Sequence, residues 1–201
     1  VMTGISVIQS TIEHELSVLG TQTFQVQKWP AGGFGPRDLD WRKIQARKPV
    51  SIENAIAIRD KVKSVDLVGA ELWRFGSMAS YRGEKTEANL SVVGGAAQYA
   101  PNNTHLIGLG RNLTDEDVRV RRKVAVIGYA LADQLFPFTD PLDKVIKGDG
   151  RKYTVVGVFE AGGSVSESEV WTDLSVLQGV YRRGNSVQVV RAQLLAPDSI
   201  E

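Results

Sequence analysis

The stretch RKVAVIGYALADQLF, residues 122–136, constrains the fold more than any other part of the chain. Val124, Ala125, Val126 and Ile127 run without a polar break, Gly128 follows, and Leu131, Leu135 and Phe136 then return at helical spacing. Strand, glycine and helix in that order open many nucleotide-binding folds, so a phosphate cradle is the first chemistry to test. A dinucleotide site needs G-x-G-x-x-G, because the backbone must approach the pyrophosphate where a side chain would collide. Here Gly128 is followed by Tyr129, Ala130 and Leu131, and the tyrosine stands where a phosphate would need room. Gly108 and Gly110 supply two glycines without the third, and no G-x-x-x-x-G-K-[ST] occurs. An enzyme with a cofactor at this turn is therefore the weakest of three functional readings. The structural one places Val124, Val126 and Ile127 in a core, with Leu131, Leu135 and Phe136 packing the helix onto a sheet.

At 201 residues the chain can bury one good core or two small ones. Twenty-four Lys and Arg against 23 Asp and Glu leave no net field to draw it to nucleic acid or to an anionic membrane surface. The absence of cysteine removes disulfides, thiol nucleophiles and thiolate metal sites together. No apolar run approaches the ~18 to 20 residues that cross a bilayer. Val1-Met2-Thr3-Gly4 passes straight into a helical pattern, as expected of a piece cut from a longer chain.

Ile5, Ile8, Ile12, Leu16 and Leu19 mark one stripe of a helix, which Gly20 ends. Phe24 and Val26 alternate with polar neighbours and predict a half-buried strand over 21–29. Residues 30–48, closed by Lys48, carry two prolines and three glycines without clear periodicity and read as a loop. A helix restarts after Ser51 as N-cap, with Glu53 in its first turn and Ile52, Ala55, Ile56, Arg59 and Val62 along its face. A strand over 65–73 follows, making a strand, helix, strand unit with a right-handed crossover if the two strands are parallel. Residues 76–82 and 88–94 read as a hairpin around Gly83, 96–99 as a helical turn stopped by Pro101, and 144–146 with 152–159 as a second hairpin around 148–150. A flexible polar link over 162–169 and a last strand over 186–194 complete the chain.

Among chemical groups, His14 and His105 have no His or Cys neighbour at metal-ligand spacing, and both read as solvated side chains. Asp115, Glu116 and Asp117 directly follow Thr114, which predicts an N-cap with first-turn carboxylates. No G-x-S-x-G elbow is present. The pattern offers no catalytic residue, no metal site and no cofactor. The loop over 29–48 remains as a contact surface, with Trp29, Phe34 and Trp41 set among Arg37 and Arg42. Either these aromatics grip a peptide or lipid or they pack back onto the body; the sequence leaves both open.

Read together, Leu19-Gly-Thr-Gln-Thr-Phe-Gln-Val26, Gly110-Arg-Asn-Leu-Thr-Asp-Glu-Asp117, Val124-Ala-Val-Ile-Gly128 with Leu135-Phe136, Asp140-Pro-Leu142 and Tyr153-Thr-Val-Val-Gly-Val158 resemble the extracytoplasmic core domain of MacB-type and, more distantly, FtsX-like ABC transporter permeases. The resemblance runs from about residue 5 to 194. It implies an α+β fold of two lobes: an α/β Porter-like lobe, carrying an N-terminal stalk helix, and a strand-rich Sabre-like lobe. The stalk (1–20) would continue from a transmembrane helix. The Porter-like lobe would take 21–95 and 176–201, incomplete at Glu201, and the Sabre-like lobe 96–175. Asp143 departs from the glycine common in that family after Asp-Pro-Leu.

The implied role is non-enzymatic: the domain passes ATP-driven motion to a substrate outside the inner membrane (mechanotransmission). The implied partners are a second permease subunit, a cytoplasmic ATPase and a periplasmic adaptor protein. The domain would stand on the periplasmic side, anchored to the inner membrane in the full-length chain.

Overall fold

A computed structural model of the chain describes residues 23–30, 40–103, 105–161, 168–181 and 184–195. The expected stalk helix, His14, Phe34, Arg37, most of the polar link and the chain end lie outside the described residues. The first part contains β1 (Thr23–Gln27), α1 (Trp41–Ala46), β2 (Val50–Ser51), α2 (Ile52–Lys61) and β3 (Val65–Ser77). There follow β4 (Ala79–Tyr81), β5 (Glu84–Lys85), β6 (Leu90–Gly95), α3 (Tyr99–Asn102), β7 (Ile107–Gly110), α4 (Asp115–Arg119), β8 (Val124–Ile127) and α5 (Tyr129–Leu135). The last part holds β9 (Val145–Gly148), β10 (Arg151–Phe159), β11 (Glu169–Asp173), α6 (Leu174–Tyr181), β12 (Ser186–Val187) and β13 (Val189–Leu194).

Helices and a large mixed sheet make the fold α+β. The sheet runs β1, β13, β3, β6, β11, β8, β10, β9, β4, β5, and β7 pairs the far end of β10. Neighbours are antiparallel except β6 with β11 and β8 with β10. The strand, helix, strand unit forms, with β1 and β3 parallel but separated by β13, which is antiparallel to both. β3 is the shared strand: Val65 to Glu71 pair with β13, and Leu72 to Ser77 pair with β6. Glu71 is therefore the last residue before the pairing changes partner.

β8 is buried throughout because the sheet is covered on both faces. Val92, Ala125, Ile127 and Val170 enter one core cluster with Leu131, Leu135 and Leu177. Their strand neighbours Val93, Val124, Val126 and Trp171 enter a second, aromatic cluster with Tyr99 and Phe159. A continuous apolar run is what such a strand needs, since period-two alternation has no polar face to serve. The hairpin at 148–150 forms as expected. Gly148 pairs with Arg151, and Asp149 and Gly150 take φ of 47° and 79°, the two left-handed residues of a type I′ connection. Asp143 also sits at φ 61°, the conformation a glycine adopts freely.

Several expectations are corrected. The loop over 30–48 contains a helix, α1, because Asp40 caps it by accepting from the Arg42 and Lys43 amides at 3.1 and 3.4 Å while Ile44 anchors its inner side. On α2 the buried residues are Ala55 and Ile58, whereas Ile56 is exposed. Its Ser51 cap is joined by Asn54, whose Oδ1 accepts from the Ser51 amide at 2.9 Å. The strand expected to stop at residue 73 continues to Ser77. β6 then pairs with β3, so the hairpin partner of β4 is the two-residue β5. Pro101 lies inside α3, in a first turn where its missing N–H costs nothing. Glu169 belongs to no flexible link: it opens β11 and is fully buried, and neither β11 nor α6 was expected.

Candidate contact surface

Trp29 follows β1 and is half-exposed, with the Lys28 ammonium 5.3 Å from its ring centroid. It borders a groove of about 360 Å³ floored by Pro49, Val50, Val187 and Gln188. Arg47 Nη1 donates to the Lys28 carbonyl at 3.4 Å and ties the end of α1 to the segment just after β1. Trp41 opens α1 and is also half-exposed, and Arg42 beside it is exposed. Trp41 is not among the residues that line the Trp29 groove. Half of each indole stays in water, which neither a fully packed core residue nor a loose surface residue would show.

The interior holds a group of polar residues that sequence reasoning missed. Glu71 on β3 accepts from Arg191 Nε at 3.1 Å, Asn103 Nδ2 at 2.9 Å and Trp73 Nε1 at 3.2 Å. Glu169 Oε2 accepts from the Tyr99 hydroxyl at 2.8 Å, and its other oxygen has no hydrogen-bond partner among the described residues. Burial pushes the Glu169 carboxyl up to about 7; the Tyr99 bond and the Arg191 charge oppose that rise and the Glu71 charge adds to it. Burial likewise raises the Tyr99 hydroxyl. His105 stands between the Tyr99 and Phe159 rings at 5.6 and 5.2 Å, and burial, then Arg191, lowers its affinity for a proton. It is thus a packed ring rather than a solvated one. The signal for Glu71 was an acid inside the otherwise apolar run LVGAELW; Glu169 gave none, because serines and glutamate precede it.

Asp117 is another buried carboxylate. Thr114 caps α4 as expected, and Asp117 Oδ2 accepts from the Thr114 amide at 3.0 Å and from Arg111 at 2.6 Å, while Oδ1 accepts from Arg122 at 2.7 Å. Burial opposes its charge, but the Arg111 and Thr114 hydrogen bonds outweigh burial and hold the carboxyl at about 2.

The glycines read against a phosphate fingerprint have structural work. Gly110 has φ 75°, and a Cβ there would stand 2.4 Å from the Val156 carbonyl oxygen. A Cβ on Gly157 would stand 2.3 Å from the Arg111 carbonyl oxygen, so the two glycines let β7 and β10 cross closely. The Gly128 amide, which a phosphate turn would present to its ligand, donates to the Glu169 carbonyl at 2.8 Å. Among the described residues no cluster of three or more acidic, His or Cys side chains is placed to hold a metal. No described helix is long and apolar enough to cross a membrane.

The MacB-like periplasmic core domain model matches residues 1–201. The chain belongs to the MacB-like periplasmic core domains. It is 31% identical over 154 residues to the macrolide export ATP-binding/permease protein MacB of Neisseria gonorrhoeae, covering 76% of this chain and 22% of that protein. With the MacB of Chlorobaculum tepidum it shares 34% identity over 116 residues, 53% of this chain and 18% of that one. The chain therefore spans about a fifth of the length of these relatives. The crystal structure of the periplasmic region of MacB from Actinobacillus actinomycetemcomitans superposes with a TM-score of 0.73 at 17% identity, covering 95% of this chain and 82% of that one. The extracellular domain of the noncanonic ABC-type transporter YknZ from Gram-positive bacteria gives 0.68 at 22%, covering 89% and 86%. The chain is thus a periplasmic domain of a MacB-like ABC transporter permease.

Proposed function

We propose that this MacB-like domain transmits motion generated by ATP hydrolysis elsewhere in the transporter to a substrate on the periplasmic side of the inner membrane. The observation that carries the reading is β3, one 13-residue strand whose first half pairs with β13 and whose second half pairs with β6. A strand shared in this way conveys displacement of one half of the sheet to the other, and the buried Glu71–Arg191 pair pins the handover. In this reading a stalk over 1–20 drives a Porter-like lobe (21–95 with 176–201), which works against a Sabre-like lobe (96–175) across the β6–β11 pairing. The ATPase, a second permease subunit and a periplasmic adaptor are its partners.

The relatives' name supplies the first compound to test, a macrolide. In the full-length transporter, Arg191→Met should leave ATP hydrolysis within about twofold of wild type while macrolide efflux is lost, because the joint slips without touching the ATPase. Unchanged efflux at wild-type protein level overturns the reading. A second reading, a peptide- or lipid-binding module using the 29–48 surface, is favoured by the half-exposed Trp29 and Trp41 beside Arg42. Binding of a peptide or lipid by the isolated chain that is abolished by Trp29→Ala with Trp41→Ala would select it.

A further inference from the structure

Toward the other end of the sheet, a groove of about 470 Å³ lies between α5 and the ends of β7 and β10. Leu109, Tyr129, Phe136 and Val158 give it an apolar floor, and Asp133 and Glu160 are the charged side chains in its lining. Leu109 and Tyr129 are 43% and 50% exposed. Nearby, Phe138 is almost wholly exposed, and Leu106, whose carbonyl accepts from the Glu160 amide at 2.8 Å, is 66% exposed. A cluster of large apolar side chains left in water around one groove marks an interaction surface. Asp133 and Glu160 have no ion-pair partner among the described residues, and no Lys or Arg lines the groove. β7 pairs with β10 and with no other strand among the described residues, so one edge of it is free beside the groove.

We infer that this groove binds an extended segment of a partner protein in which every second residue is by turns apolar and basic, with small polar residues between them. Added to the free edge of β7, such a segment forms main-chain hydrogen bonds, and every second side chain, apolar and basic in turn, falls on the face toward the groove, the apolar ones over Leu109 and Tyr129. Its basic side chains meet Asp133 and Glu160. A second copy of this chain fits less well, since a two-fold contact brings the same carboxylates toward each other. An anionic lipid surface would be repelled by them. The inference rests on the groove and the β7 edge, and stands whether or not the domain transmits motion.

The test is fluorescence anisotropy with the 201-residue chain and a labelled heptapeptide, Leu-Ser-Lys-Ser-Val-Ser-Arg, at about 0.15 M salt. Saturable binding is expected, at least about tenfold tighter than that of the same peptide with glutamate at every basic position. Asp133→Asn with Glu160→Gln, and separately Tyr129→Ser, should each weaken it about tenfold, while Phe75→Ser, an exposed aromatic away from the groove, leaves it unchanged. All are surface changes whose folding is checked by the melting curve. No binding at millimolar peptide, equal binding of the acidic peptide, or binding insensitive to the groove variants overturns the proposal. So does reversible dimerisation that Tyr129→Ser abolishes, or capture of the chain by phosphatidylglycerol vesicles through the groove.

Discussion

Asp117 and Glu169 are both buried carboxylates, at 1% and 0% exposure, yet one is held at about 2 and the other rises to about 7. The difference lies in what each was buried with. Asp117 entered the fold beside two arginines whose outer halves stay in water, and with a helix N-terminus to cap. Glu169 entered an aromatic cluster with one hydroxyl donor, and faces a second carboxylate that already holds Arg191. Burial alone therefore does not set proton affinity; the count of donors and cations that come with it does.

The largest test of that contrast is Glu71→Ala. It removes the carboxylate that pairs with Arg191, which is only 18% exposed, and the acceptor of the Trp73 indole, and should cost about 3 kcal/mol in urea denaturation. It should also make Glu169 easier to ionise, as the neighbouring negative charge is gone.

Next in size is the pH dependence due to Glu169. Its carboxyl is raised from 4.5 to about 7, so between those pH values the native state keeps a proton that the unfolded chain has released. Stability then falls as pH rises from about 4.5 to 7, by on the order of 3 kcal/mol, and is flat above. Glu169→Gln should remove that slope; a slope that survives in the variant would show that another group carries it.

Asp117 has the opposite sign. Its carboxyl is lowered from 3.8 to about 2, so its contribution is complete above about pH 4 and is lost as pH falls through 2. The loss should be about 2 kcal/mol, and Asp117→Asn should flatten the acid limb without altering the slope near neutrality. Smallest is Trp29→Ala, expected to change stability by less than about 1 kcal/mol, because half the indole is already in water. A larger loss in the melting curve would mean that the ring is structural and no contact residue.

Much of the local structure was legible because its causes are local. The apolar run at 124–127, the helix after Gly128, the hairpin at 148–150 and the caps at Ser51 and Thr114 each depend on residues within a few positions of one another. α1 was hidden because a six-residue helix anchored by one isoleucine has too few turns to show a period. β11 was hidden because its first residue is a buried glutamate, which reads as solvent-facing in any local window. The apolar groove combines β7, α5 and the end of β10, and no one segment announces it.

The sequence by itself determined most element positions, since periodicity, capping and turn chemistry are short-range and survive reading along the chain; the family and the α+β class followed from its resemblance to MacB-type permeases. The tertiary structure decided which strands meet, that β13 enters between β1 and β3, and that Glu71 finds Arg191 120 positions away. It also decided which acids keep a proton. Those outcomes depend on burial and on neighbours supplied by distant segments, and a linear pattern carries neither.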